Sequence, residues 1–188
     1  MSIRDQKRAV AVEAMAKHLL AEGLAGASLR PLAKAAGVSD RMLLYYFADK
    51  DEVIAETLRA IAGRLQAELA GATAAPEPPE RLAPALWEIL DSPAMKPAMA
   101  LWLEIAAAAT RGREPYLTIA GEVAQGFLDW VESRLLAPEG ADSRATAALV
   151  LGALDGLVML GGVGQGALAA RALAAWSIAG ARQDLPSS

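Results

Sequence analysis

An all-α fold is predicted for this chain, and three observations predict it. The residues are 54% hydrophobic, much of that alanine and leucine, the residues that lose least on entering a helix. Only 5% are aromatic, and β-branched runs are few, which leaves little to build a sheet from. Apolar residues recur at helical spacing, and prolines and glycines break the chain into helix-sized pieces. At 188 residues the chain suits one generous domain, or one small domain with a larger one.

Residues 4–22 read as the first helix, ending at Gly23, with Ala11, Ala14, Met15 and Leu19 on its inward stripe. Arg4, Lys7 and Arg8 lie in or just before its first turns, as phosphate contacts or as a solvated basic tip. His18, beside the stripe, reads as a structural or partly exposed residue. Residues 28–36 and 39–46 read as two short helices joined by a tight turn. Ser28 suits an N-cap, where its hydroxyl can accept from an orphan backbone N–H. Pro31 suits a first turn, and Gly37 supplies the positive φ that ends a helix. Ser39 can cap the second helix, with Met42, Leu43, Tyr46 and Phe47 at helical spacing. Ala33, four before Gly37, is small enough to let the two helices meet, and Val38 and Leu43 supply apolar contacts between them. This order of small residue, turn glycine and buried apolar residues is a helix-turn-helix signature. Asp49 can then cap a long fourth helix, from about 50 to 69.

The stretch Ser28 to Phe47, followed by Ala48-Asp-Lys-Asp-Glu-Val-Ile54, resembles the N-terminal DNA-binding domain of TetR-family transcriptional regulators. The Ala-Gly-Val-Ser turn, the Leu-x-x-Tyr-Phe helix end and the Lys-Asp-Glu start of the next helix carry the resemblance. It covers roughly residues 8–54; beyond them only length, helicity and layout agree. The expected organisation is a three-helix helix-turn-helix DNA-binding domain over residues 1–50 and a helical effector-binding and dimerisation domain over residues 51–188.

Charge distribution supports a division of labour. The net charge is −4, yet residues 1–50 hold eight Lys/Arg against five acids, so +3 sits at this end and −7 on the remainder. A basic unit on an acidic body is expected where only one end meets phosphates. In a helix-turn-helix the second helix enters the major groove and its N-terminal residues face base edges. Here those are Ser39, Asp40, Arg41, Met42 and Tyr45. Arg41 is the best base reader, because a guanidinium can donate twice to guanine. Asp40 can accept from cytosine or orient Arg41, and Ser39 either caps alone or also touches DNA. Tyr45 and Tyr46 can donate hydroxyls to phosphates, with Tyr46 also able to pack its ring in the core. Arg30 and Lys34 suit the DNA backbone, and Ser28 can add a hydroxyl. Lys50 sits at a helix N-terminus, where a cation is disfavoured unless a phosphate binds beside it; the resemblance implies that role. Family members often carry Lys or another non-acidic residue at Asp40, a small residue at Arg41, an aromatic residue at Leu44 and His at Tyr45. These departures leave the operator sequence open.

Gly71 to Pro79 reads as a loop, followed by helices at 80–90, about 95–110, 115–136, 143–161 and 166–181. The stretch Ala145 to Gly164 is apolar except for Thr146 and Asp155 and contains Gly152-x-x-x-Gly156. Its length could suggest a membrane span, but Asp155 at its centre would cost about 2.5–3.5 kcal/mol there. A helix buried on nearly all sides, in core and subunit interface together, is the preferred reading. The resemblance implies a homodimer through a four-helix bundle made by helices 115–136 and 143–161. Phe127, Trp130, Val131, Leu149, Leu157 and Leu160 are then interface or core. It also implies a small-molecule pocket, for which Trp87, Met95, Met99, Trp102, Tyr116 and Phe127 are candidates. Trp and Met suit a broad apolar or aromatic ligand, and plain core is the competing role for each. Glu104, the lone acid of an apolar run, either attracts a cationic ligand or faces water.

No cysteine is present, which excludes disulfides and thiolate metal sites. The single histidine argues against a histidine-rich metal site or a serine–histidine triad. Neither a catalytic constellation nor a cofactor motif stands out, so no enzyme, metal or cofactor is expected. The opening Met-Ser-Ile-Arg-Asp-Gln-Lys-Arg is polar and does not read as a secretory signal, so a cytoplasmic location is expected. The expected function is a sequence-specific regulator of transcription. It would act as a repressor that binds a palindromic operator as a homodimer and leaves it on binding an apolar or aromatic ligand. The alternative is a protein of the same build that binds a ligand or partner and DNA only weakly. Arg41→Ala is expected to cost about 1–3 kcal/mol of DNA binding and to relax selectivity at one base position, read by titrating single-base operator variants.

Overall fold

Breakers and caps set the helix limits much as the spacing predicts. A computed structural model describes residues 3–72 and 75–181 of the chain. Among these residues the helices are α1 Ile3–Glu22, α2 Leu29–Ala35, α3 Asp40–Tyr46, α4 Lys50–Ala72 and α5 Pro79–Leu90. They continue with α6 Lys96–Ala109, α7 Tyr116–Ser133, α8 Ser143–Gly162 and α9 Gly166–Ala181. The all-α expectation is met: among the described residues strand-like pairing is confined to one isolated bridge, Glu77 with Leu135.

Two limits differ from expectation for visible reasons. α4 continues to Ala72, one residue beyond Gly71, where the loop was expected to begin; residues 73 and 74 of that loop lie outside the described residues. α7 stops at Ser133 because the next residues turn to pair with the loop before α5. The Glu77 amide donates to the Arg134 carbonyl and the Leu136 amide to the Glu77 carbonyl, both at 2.9 Å. A short 3-10 turn, Gly23–Gly26, follows α1. Gly23 has φ +63°, a conformation that favours glycine, and a Cβ there would lie 2.5 Å from the movable Glu104 carboxylate.

The chain divides into two compact units that do not follow its order. One comprises Met1–Leu65 with Pro97–Val123, the other Gln66–Lys96 with Ala124–Ser188. The functional division expected at residue 50 and this packing division are therefore different things.

The first unit has a continuous apolar core. α1 gives it Ala11, Met15, Ala16 and Leu19; α2 gives Leu32 and Ala33; α3 gives Leu43 and Tyr46. Phe47, then Val53, Ile54, Leu58 and Ile61 of α4, and Leu101, Ile105, Tyr116 and Ile119 of α6 and α7 complete it. Buried Thr57 satisfies its hydroxyl by donating to the Val53 carbonyl at 2.7 Å. In the second unit α5 buries Leu82, Ala83, Leu86 and Trp87. A Cβ at Gly161 on α8 would lie 4.0 Å from the Trp87 ring. Asp142 caps α8 by accepting from the Ala145 amide at 3.1 Å, and Trp176 of α9 donates to the Pro79 carbonyl at 3.2 Å.

α8 is long and apolar enough to cross a membrane by length and composition, and this chain by itself covers only one face of it. Ala147, Val150, Leu154, Leu157 and Val158 form one buried face, while Leu149 is 64% exposed and Met159 is exposed as well. Truncating Leu43, fully buried at the centre of α3, is expected to destabilise the protein by about 2–5 kcal/mol. Urea unfolding of Leu43→Ala against the parent measures it.

Candidate nucleic-acid interface

The helix-turn-helix is held from behind and left bare in front. α2 buries Leu32 and Ala33, and its end is closed by Gly37 at φ +67°. The Val38 amide then donates to the Ala33 carbonyl at 3.0 Å, which closes the turn. Ser39 caps α3, its hydroxyl accepting from the Met42 amide at 3.2 Å. Ser28 occupies the N-cap position of α2, but its side chain makes no capping bond. Asp49 caps α4 by accepting from the Glu52 amide at 2.8 Å, and Glu52 in turn accepts from the Ala48 amide. This reciprocal pair occupies one first-turn donor that a phosphate was expected to use beside Lys50.

Burial sorts the candidate residues. Ser28, Arg30, Lys34, Ser39, Asp40, Arg41, Met42, Tyr45 and Lys50 are all exposed. Tyr46 is not: at 9% exposure its ring belongs to the core, and Tyr45, 62% exposed, is the outward aromatic ring of α3. Leu44 is exposed too, at the place where the family often has an aromatic residue.

Ion pairing sorts the cations. Arg8 binds Glu52 and Glu56, at 3.2 and 3.0 Å. Arg59 binds Glu56 and Glu122, and Arg64 binds Glu13. The hydrogen bonds from Arg59 hold the Glu122 carboxyl below the ordinary carboxylate range. Lys50 lies 3.9 Å from Asp51, at the limit of contact. Arg30, Lys34 and Arg41 make no ion pair among the described residues. Asp40 is equally unpaired, so it does not hold Arg41 in place. Positive charge on α2 and α3 is thus available to something outside the chain, while that on α1 and α4 is largely used within it.

Two features have partners that the sequence did not reveal. Arg4 and Arg8, expected as phosphate contacts or a solvated tip, pack on aromatic rings. The Arg4 guanidinium lies 5.0 Å from the Tyr45 ring centre, and that of Arg8 lies 4.7 Å from the Phe47 ring centre. Glu104 is exposed, as one of its two readings expected, and it also accepts from the Leu24 amide at 2.7 Å. Its isolation in an apolar run was the one signal that it had a specific partner. His18 lines an open groove with Arg30, Pro31, Lys34 and Ala35. Its Nε2 is buried against Gly26 with no hydrogen-bond partner among the described residues.

The pocket candidates divide between the units. Met99, Trp102 and Tyr116 belong to the first, and Trp87, Met95 and Phe127 to the second. Trp87, Met95 and Tyr116 are buried; Met99, Trp102 and Phe127 are half-buried. Burial pushes the Tyr116 phenol up, partly offset by Arg113 beside it. Among the described residues no group of three His, Cys, Asp or Glu side chains could hold a metal ion.

A bare, unpaired basic surface on a helix-turn-helix defines a DNA-binding regulator by class. The family of bacterial regulatory proteins of the tetR type matches residues 11–64, so the helix-turn-helix end of this chain is similar to that family's N-terminal domain. A transcriptional regulator from Rhodococcus sp. superposes at TM-score 0.68 with 26% identity, over 94% of this chain and 93% of that one. A TetR-family regulator from Cytophaga hutchinsonii superposes at 0.75 with 16% identity, over 94% of each chain. The multidrug binding protein EbrR complexed with proflavin superposes at 0.64 with 24% identity, over 90% and 99%. No curated protein matches the sequence. Ser39→Ala is expected to cost about 0.5–2 kcal/mol of stability, and Ser28→Ala, which breaks no capping bond, distinctly less; paired thermal unfolding curves measure the difference.

Proposed function

We propose that this regulator is a homodimeric repressor that binds a palindromic operator and is released by a small apolar or aromatic ligand. The observation that carries the DNA-binding part is the set of unpaired cations Arg30, Lys34 and Arg41 on an exposed helix-turn-helix. Arg41 reads a base edge, Arg30 and Lys34 hold the phosphate backbone, and Lys50 adds a phosphate contact at the start of α4. Phosphate contacts position the protein and make its affinity salt-dependent; base contacts specify the sequence.

Support for a dimer comes from apolar surface that the chain leaves uncovered. Leu149, Met159, Val163 and Leu168 are exposed on α8, at its end and on α9. Of the helix pair expected from the sequence, 115–136 contributes Val131 to the core, and its Phe127 and Trp130 are half-buried. The proposed interface therefore takes in α9 beside the pair expected from the sequence, within which Leu117 and Leu136 are exposed as well. Support for an effector comes from the Trp and Met residues named above and from the relative that binds proflavin, an aromatic ligand. A ligand can release DNA only by binding one conformation of the dimer better than another. A protein with this role works in the cytoplasm.

One observation favours the second reading, a TetR-like protein that binds a ligand or partner and DNA only weakly. Asp40 is exposed, unpaired and at the first position of α3, where it repels phosphate unless a cytosine amine meets it. Selection from random duplex DNA at moderate salt, followed by sequencing, separates the two. Enrichment of a near-palindrome is the expected outcome, and its half-site spacing reports the dimer. No enrichment, from a protein of dimeric mass and intact helicity, would favour the second reading.

A further inference from the structure

The start of α1 and the end of the recognition helix meet through one side chain. Arg4 Nη2 donates to the Tyr45 carbonyl at 2.9 Å, while its guanidinium stacks 5.0 Å from the Tyr45 ring centre. α3 ends at Tyr46, so the Tyr45 carbonyl has no further helical turn to bond with. A cation at that end also suits the helix dipole. The far edge of the same ring is met by Tyr46, 5.8 Å away and inclined at 61°, and Tyr46 itself is core. Tyr45 is thus gripped on its carbonyl and on its ring, yet stays 62% exposed. The next guanidinium on that helix, Arg8, stacks on Phe47 and is held by Glu52 and Glu56. That contact seats α1 against the segment that follows α3.

We propose that Arg4 is a positioning residue for DNA recognition: it holds Tyr45 in the orientation in which Tyr45 meets DNA, and does not itself contact DNA. This rests on the DNA-binding reading above. An exposed tyrosine free to change rotamer would lose that freedom on binding; the grip of Arg4 removes the loss beforehand. A lysine at position 4 would keep the charge, but it has no planar fork to stack and donate at once.

A double-mutant cycle on the selected duplex tests this, with Arg4→Ala, Arg4→Lys, Tyr45→Ala and Arg4→Ala/Tyr45→Ala. Affinity is measured over a range of salt, and thermal unfolding checks each fold. Arg4→Ala is expected to weaken binding by about three- to tenfold, with the salt slope unchanged. Arg4→Lys is expected to weaken it as much. In the Tyr45→Ala background, removing Arg4 is expected to cost much less, because only its bond to the residue-45 carbonyl is left to lose. Equal loss in both backgrounds, or a salt slope shallower by about 0.9, would make Arg4 a direct phosphate contact and overturn the proposal. Full rescue by Arg4→Lys would overturn it too, by showing that charge alone matters. Failure of the parent protein to bind any duplex would instead remove the DNA-binding reading, and this inference with it.

Discussion

A helix of seven residues cannot hold its own shape, and the helix proposed to face DNA here has seven. Isolated helices below about 12–15 residues are marginal in water, and α3 runs only from Asp40 to Tyr46. It exists because Leu43 and Tyr46 are buried under it and Phe47 just after it, because Ser39 caps its start, and because Arg4 takes a carbonyl at its end. Every function assigned to its outer face depends on that inner attachment. The same constraint explains why the front can be so polar. Asp40, Arg41 and Tyr45 add nothing to the core, so they are free to be chosen for what they meet outside.

Charge in this molecule is spent in two ways that composition cannot separate. Arg8, Arg59 and Arg64 are satisfied by glutamates inside the first unit, so they tie helices together and offer little to a partner. Arg30, Lys34 and Arg41 have no such glutamates. The modest basic excess of residues 1–50 therefore understates how the available charge is concentrated on α2 and α3. It also includes Arg8, whose partners Glu52 and Glu56 fall beyond residue 50 and outside that count.

Local chemistry was legible in the sequence and distant pairing was not. Gly37, Ala33, Ser39 and Asp49 act within a few residues of themselves, so their spacing reveals turn, close approach and caps. The TetR resemblance extends over the same local pattern. By contrast, Arg4 finds Tyr45 across 41 positions and Glu104 finds Leu24 across 80, and no periodicity marks such partners. Tyr46 could be read as core or as DNA contact, because helical spacing puts it on the boundary between faces; packing decided for the core. α8 was legible only as apolar: hydropathy cannot tell a face covered by the same chain from one left for another molecule.

The unit that carries the helix-turn-helix is assembled from two separate runs of chain, and this limits how portable it is. Cutting after residue 65 would not free a self-sufficient head. Leu101, Ile105, Tyr116 and Ile119 would be left behind, and the core they share with Met15, Leu32 and Ile54 would lie open. Grafting its specificity onto another regulator is better done by exchanging the outward residues of α2 and α3 alone, leaving both runs of the host intact.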